Sequence, residues 1–591
     1  MQNQRNLIWA AVLTGLLLLA WDAGTRWFYP NAGKAKTVAA SAPSANATSA
    51  AKLTPTREGG LTTPEEIAQE AKSLPAALSG PRVAIDAPRV KGSIALTGGM
   101  VDDLTLNDHR ETTDKNSLPV RILSPAGTPA QHFAQFGWVG EGVAAPDAKT
   151  VWQADGAKLT PQTPVTIRWI NPTGQTYSIR YAIDDAYMLT AAASVQNAGS
   201  APVVLRPFAL ISRTDRTASV SQWNLHSGPI GAFANTVDFG NNYDTVLKAP
   251  GGTISPTAAT DWIGFTDIYW MSTLIPEAAG GAQGDFRSLG NSLFRADVLY
   301  KPQSVAPGQT LTRTTKLFAG AKENATLERY EKAGVTNFSL AIDWGWFRWF
   351  EKPIFYLLDF LFKTVGNFGV AIMLLTVVVR GLMFPIAQRQ FASMAAMRSI
   401  QPKMKAIQER HKDDKQTQQQ EIMKLYKEEK VNPLAGCLPL LLQFPVFIAL
   451  YTVLMLTIEM RHQPFVLWIK DLSAPDPAHF LNLFGVLPFN PPAMLGIGVL
   501  ALLLGVTMWG QFKLQPSAMD PAQQQMMSLM PWVMMFVMAP YAAGLLIYWI
   551  TSNCLTILQQ QYLYSRHPVL KAQASKDQLD IDRVAARDTK K

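Results

Sequence analysis

Cysteine is nearly missing from this sequence: Cys437 and Cys554 are the only two in 591 residues, and both sit inside apolar runs. That excludes a disulfide framework as the organising device. Charge is scarce as well, 16% of residues against 48% hydrophobic, and there are seven histidines. His109, His132 and His226 are far apart, and HExxH, GxSxG and GxxxxGK[ST] are all lacking. An absent motif does not exclude a site, but a binding or scaffolding role suits the first half better than an enzyme. No metal or cofactor is expected. Acidic residues are outnumbered 44 to 53, giving a formal net charge of +9. The basic clusters flank apolar runs, the pattern of cytoplasmic loops beside membrane spans, so no dedicated nucleic-acid surface is expected.

What is present divides the chain in two. Residues 1–30 hold a short apolar segment, Asn6 to Trp21, followed by Asp22, Arg26 and the aromatic run Trp27-Phe28-Tyr29. An interface belt fits these better than a cleavage site, so the segment reads as a signal anchor with its amino terminus inside; a cleaved signal is the competing reading. Residues 31–64 are Ala, Ser, Thr, Pro and Lys with few large apolar side chains, and read as a tether. Residues 65–340 are β-rich. Val165, Ile167 and Trp169 alternate with polar neighbours, Asn171-Pro172-Thr173-Gly174 turns the chain, and Tyr177, Ile179, Tyr181 and Ile183 alternate again. Such a hairpin has one buried face, and its repetition suggests an all-β sandwich outside the cytoplasm.

From residue 343 the pattern changes. Residues 343–365 mix Trp344, Trp346, Phe347, Trp349, Phe350 and Phe355 with Glu351, Lys352 and Asp359, as an interfacial amphipathic helix does. Apolar runs come next, at about 366–386, 434–457, 491–509, 526–540 and 541–563. They read as five core transmembrane helices in one α-helical bundle, with the anchor as a sixth span, both chain ends inside and a solvated tail over 564–591. Between the first two core spans, residues 388–431 read as a cytoplasmic helical hairpin. Met394, Met397, Ile400, Met404 and Ile407 would form one seam with Ile422, Leu425 and Tyr426. Arg398, Lys403, Lys405, Arg410, Lys424 and Lys427 would lie around it. These cations suit a contact with substrate, ribosome or anionic phospholipids, or topology alone.

Val370 to Pro385 is the stretch on which function turns. Arg380 stands in it without an acidic residue nearby in sequence. A mid-helix arginine in lipid costs about 2.5 to 3.5 kcal/mol on insertion scales, so it faces a polar cavity or snorkels to the interface. Thr376, one turn earlier on the same face, favours the cavity. Pro439, Gln443 and Pro445 in the next span also fit protein or water better than lipid. Met526, Met527, Met530, Met534, Met535 and Met538 form a methionine stripe, with Met527, Met530 and Met534 as a candidate adaptable slide; core filling is the alternative.

LLTVVVRGLMFP, the hairpin from MRSIQPKMKAIQER to YKEEKVNPLAGCLPLLLQFPVFIALY, and YWITSNCLTILQQQ resemble the YidC family of membrane protein insertases over about residues 340 to 563. The resemblance is to the Gram-negative form, with a periplasmic β-supersandwich domain. It implies a hydrophilic groove in the inner membrane through which hydrophilic segments of nascent membrane proteins pass, with or without the Sec translocon. Helices would leave the groove sideways into the bilayer. It implies that Arg380, Thr376, Gln443, Tyr548, Trp549, Ser552 and Asn553 line the groove, with Thr551 beside them. The family often has a second tyrosine where this chain has Trp549, which lacks the hydroxyl. Two other classes compete. A transporter with a periplasmic solute-binding domain would show internal repeats and acidic coupling residues in its spans. A membrane-anchored envelope enzyme would need only one span and a catalytic cluster outside.

Overall fold

The hairpin read from alternation forms as Val165–Ile170 against Gln175–Ile183, in register Val165↔Tyr181, Ile167↔Ile179 and Trp169↔Tyr177. Val165, Ile167, Tyr177, Ile179, Tyr181 and Ile183 are buried, while Trp169 is half-buried. Asn171 closes the turn, its Oδ1 accepting from Thr173 N–H and Gln175 N–H at 3.1 and 2.8 Å. Gly174 supplies the left-handed φ of 90° that the turn requires. The computed structural model describes residues 56–114, 116–140, 142–221, 225–277, 281–388, 400–411, 414–429, 438–479, 481, 496–514 and 521–566. The expected anchor, most of the tether, Met394, Met397 and the tail lie outside the described residues.

The described residues fall into two compact units, the first holding those up to Glu111 and Leu118–Asp343, the second Thr112–Ser117 and those from Trp344 on. In the first, strands assemble into an 11-stranded and a 9-stranded sheet. The hairpin belongs to the smaller sheet, where Thr310–Ala321 lies between Met188–Asn197 and Trp270–Pro276. In the larger sheet His132–Gly140 pairs with Val203–Thr214. Inward-facing rings join the sheets: Phe136 meets Tyr181 edge-on with centroids 6.1 Å apart, and Trp138 meets Tyr177 at 5.1 Å. Burial of these rings adds to the apolar burial that stabilises the sandwich.

Three helices accompany the sheets: α1 (Pro64–Ala77), α2 (Tyr243–Lys248) and α3 (Asn324–Lys332). α1 starts at the expected end of the tether. Thr63 caps it, accepting from Glu66 N–H at 3.3 Å and donating to the Glu66 carboxylate at 2.9 Å, with Pro64 in the first turn. α3 and the turn after it belong to the sandwich, because Leu327, Tyr330 and Phe338 are buried in its core. Phe338 meets Phe318 at 5.2 Å and Trp262 at 5.6 Å. Glu323, just before α3, accepts from Arg89 Nη1 at 2.6 Å, and Arg89 Nη2 holds its other oxygen. Tyr187 Oη and Thr326 Oγ1 donate to the same carboxylate at 3.2 and 2.7 Å, and His109 Nε2 lies 3.4 Å away. The first strands are thereby pinned to the last helix of the sandwich.

The second unit is helical: α4 (Arg348–Val365), α5 (Phe368–Leu382), α6 (Gln401–Arg410), α7 (Lys415–Glu428), α8 (Leu438–Leu456), α9 (Val499–Leu514), α10 (Pro521–Met538) and α11 (Ala543–Arg566). Ile354, Phe355 and Leu358 bury one face of α4, while Trp349 and Phe360 are exposed on the other. Gly366, at φ 70°, ends α4 and returns its N–H to the Phe362 carbonyl at 2.7 Å. Ile400, Met404 and Leu425 form the seam of α6 and α7, with Ile407, Ile422 and Tyr426 against it. α11 packs on α5, α8 and α9, and α10 on α9. Among the described residues no helix is both long and apolar enough to cross a membrane. α5 has 15 residues and α9 has 16, while α11 turns polar over its second half.

Candidate functional site

Arg380 lies in the last turn of α5, where the apolar periodicity of that helix carries it toward α8 and α11. Its Nη2 donates to Gln443 Oε1 of α8 at 2.9 Å and to Ser552 Oγ of α11 at 2.6 Å, and Nε donates to the same hydroxyl at 3.1 Å. Gln443 Nε2 donates to Tyr548 Oη at 3.1 Å and to Ser552 Oγ at 2.9 Å. Four polar side chains from three helices thus converge, with Tyr548 and Ser552 one turn apart on one face of α11. Ser552 is fully buried, and Arg380 and Gln443 are half-buried. Among the described residues no carboxylate pairs with Arg380, whose hydrogen bonds go to Gln443 and Ser552. A guanidinium held only by neutral oxygens keeps its charge available to a visiting anion.

The other expected residues sit elsewhere. Thr376 is buried, but its hydroxyl donates to the Ile372 carbonyl of its own helix at 2.7 Å, the back-bonding open to any helical threonine. Asn553 is one position beyond Ser552 and so points away from Arg380; its Nδ2 donates to Thr507 Oγ1 of α9 at 3.2 Å. Thr507 was missed by the sequence reading, although a threonine in an apolar run was a visible signal. Trp549 lies edge-on to Phe447 at 5.3 Å and Thr551 is half-buried. The methionine stripe splits. Met535 packs with Ala501 and Ala539 and Met538 is buried, whereas Met530 is exposed and Met534 half-buried. The side chain of Met527 lies outside the described residues.

Of the hairpin cations, Lys403 pairs with Glu429 at 2.6 Å, while Arg410, Lys424 and Lys427 are exposed. Arg398 and the side chain of Lys405 lie outside the described residues. The three histidines of the sandwich stay apart. His132 is buried against Ser272 Oγ at 2.8 Å, and burial lowers its pKa well below the ordinary imidazole value. His226 faces the Pro229 carbonyl at 2.9 Å, and burial lowers its pKa too.

Two family descriptions match the chain in sequence: YidC periplasmic domain over residues 82–357 and 60Kd inner membrane protein over residues 360–571. The membrane protein insertase YidC of Zymomonas mobilis is 45% identical over 569 residues, covering 96% of each chain. The chain belongs to the YidC family of membrane protein insertases. The YidC of Bradyrhizobium diazoefficiens is 42% identical over 607 residues, covering 96% of this chain and 97% of its own. A crystal structure of an active YidC insertase with its first transmembrane domain covers 82% of this chain and 93% of its own, with TM-score 0.37 and 17% identity. YidC proteins are inner-membrane insertases, and the β-rich first unit corresponds to their periplasmic domain. These relatives lend no support to the transporter reading.

Proposed function

We propose that hydrophilic segments of nascent membrane proteins cross beside the Arg380–Gln443–Ser552–Tyr548 cluster and that their apolar helices leave sideways into lipid. The observation that carries this reading is a polar cluster of Arg380, Gln443, Tyr548 and Ser552, drawn from apolar stretches of three helices, in which among the described residues no carboxylate pairs with the cation. Its side chains replace part of the hydration that a polar segment loses, lowering the desolvation cost of crossing. Partition of apolar helices, aided by the membrane potential, supplies the drive without a nucleotide. In this reading α5, α8, α9, α10, α11 and the amino-terminal anchor span the inner membrane, both termini are cytoplasmic and α4 lies in the outer interface. The exposed face carrying Met530 and Met534 is the slide for departing helices. The hairpin cations Arg398, Lys405, Arg410, Lys424 and Lys427 meet anionic phospholipids or the ribosome, and the Sec translocon is a further partner for some substrates.

The test is insertion of matched acidic and neutral versions of one short substrate into vesicles at fixed salt. Arg380→Ala is expected to weaken insertion of the acidic version roughly tenfold more than the neutral one, about 1.4 kcal/mol of lost attraction. Arg380→Lys keeps the charge but not the planar fork and should be largely tolerated. Equal losses for both versions would assign Arg380 to packing or hydration instead.

A further inference from the structure

Two neighbouring residues hold α11 from different sides. Ser552 faces α5 and α8, where Arg380 and Gln443 donate to its hydroxyl. Asn553 comes next in sequence. One residue turns a helix by about 100°, so its side chain faces α9 instead. Ile557, one turn further on, shares that face, and its Cδ1 lies 3.7 Å from where a Cβ on Gly510 of α9 would stand. Asn553 is buried, at 3% exposure, and its Nδ2 donates to Thr507 Oγ1 at 3.2 Å. The Thr507 hydroxyl donates to the Leu503 and Leu504 carbonyls of its own helix at 2.9 and 3.0 Å. Its proton is thus committed to α9 and its lone pairs are left for α11. An asparagine in an apolar seam loses hydration that a single hydrogen bond returns only in part. An apolar side chain of the same size would fill the seam without that cost. What the amide adds is direction. Apolar contact is non-directional, whereas a buried amide bonded to one hydroxyl selects one arrangement, as a single asparagine does in a coiled coil.

We propose that Asn553, acting through Thr507, is a positioning residue that sets the rotation of α11 about its axis and so aims the Ser552 hydroxyl at Arg380 and Gln443. A turn of α11 by roughly 20° moves a side-chain oxygen about 4 Å off the axis by more than about 1 Å. The Ser552 bonds, at 2.6, 2.9 and 3.1 Å, do not absorb such a shift without losing length or angle. α9 carries no residue of the polar cluster, yet through Thr507 it holds the helix that carries two of them. The consequence for insertion rests on the proposed function, whereas the rotation is read without substrate, so the two can fail separately.

Cys554, exposed on α11 beside Asn553, reports the rotation. In the full chain carrying Cys437→Ser, a nitroxide on Cys554 in lipid vesicles should give a single motional component. Thr507→Val keeps the branched shape without the hydroxyl, lies on a different helix from the label, and should add a second component. Thr507→Ser returns the hydroxyl and should restore the single one. A wild-type spectrum in Thr507→Val would overturn the proposal. Insertion reads the consequence. Thr507→Val and Asn553→Leu are each expected to lower insertion of acidic and neutral substrates alike by roughly five- to tenfold, the worth of one hydrogen bond. Combined, they should lower it no further than either alone, because they remove the same bond. On a Ser552→Ala background, Thr507→Val should lower insertion by less than about twofold, since the hydroxyl being aimed is gone. The full loss on that background would mean that Thr507 and Asn553 serve packing alone, and would overturn the positioning role. If Ser552→Ala itself inserts like wild type while the Cys554 spectrum responds as expected, the polar-cluster reading fails and the rotation stands.

Discussion

Ser552 offers one hydroxyl to donors from both Arg380 and Gln443, so a single small side chain is the node of the candidate site. Arg380 and Gln443 were legible in the sequence because polar residues stand out in apolar helices, while Ser552 came only with the family resemblance. Their hydrogen-bond order was not legible, since it depends on which helices meet. Thr376 shows the limit: the periodicity placed it one turn from Arg380, but a threonine hydroxyl has its own helix as a partner. Thr376→Val is therefore expected to change insertion by less than about twofold. Gln443→Leu should reduce both acidic and neutral substrates roughly tenfold, by stranding donors and acceptors worth ~1 to 3 kcal/mol. A vesicle insertion assay on the two single variants separates them, and a comparable loss in Thr376→Val would put that residue back at the site. In the sandwich, Glu323 carries a pH dependence. Burial opposes its ionisation, but hydrogen bonds from His109, Arg89 and Thr326 outweigh burial and lower its pKa from 4.5 to about 2. A folded pKa below the unfolded one means that this stabilisation is complete above about 4.5 and is lost as pH falls toward 2. The shift corresponds to on the order of 3 kcal/mol. Glu323→Gln should lower stability at pH 7 by a similar amount and flatten the acid limb of a melting profile between those pH values.

At the scale of elements, what the sequence resolves is set by how much of an element's reason lies in its own residues. The seam of α6 and α7 was readable because Ile400, Met404 and Leu425 repeat at helical spacing and meet one another. The start of α1 is equally local, written in Thr63-Pro64-Glu65-Glu66, but the composition of the tether before it masks the signal. The methionine stripe of α10 could not be divided from sequence. Only the packing of the helix tells Met535, buried against Ala501 of α9, and the buried Met538 from the exposed Met530. The hairpin makes its own small core, and among its described residues Arg410, Lys424 and Lys427 are exposed while Lys403 pairs with Glu429. Removal of residues Arg398 to Lys427 is accordingly expected to leave the remaining helices folded, with circular dichroism lower only by the two helices. Insertion should fall at least roughly tenfold if the cations meet anionic lipid or ribosome, each contributing about 1 kcal/mol near such a surface. Wild-type insertion by the folded deletion would leave the hairpin a topological signal only.

For the whole molecule, the decisive question is where the sandwich ends. Alternation and turn residues marked its strands, but they are silent about the chain beyond the last strand. A cut at Gly320, inside the strand Thr310–Ala321, would look safe from the sequence. The structure continues the unit to Asp343. Leu327 and Tyr330 of α3 are buried, and Phe338 is buried against Phe318 and Trp262. A deletion of Pro81 to Gly320 would therefore leave α3 and Phe338 without their sheet, exposing apolar side chains that each stabilise by about 2 to 3 kcal/mol when buried. Removing residues 56–343 as one unit, with the amino-terminal segment joined through the tether to Trp344, takes the core with its partners. The hydrogen bonds of the candidate site all lie within the second unit. The expected outcome is that the 56–343 deletion inserts a short substrate within about threefold of the full chain. The Pro81–Gly320 deletion should aggregate or melt at lower temperature. Complete loss of insertion by a 56–343 deletion whose helices remain folded by circular dichroism would show that the periplasmic domain takes part in insertion itself.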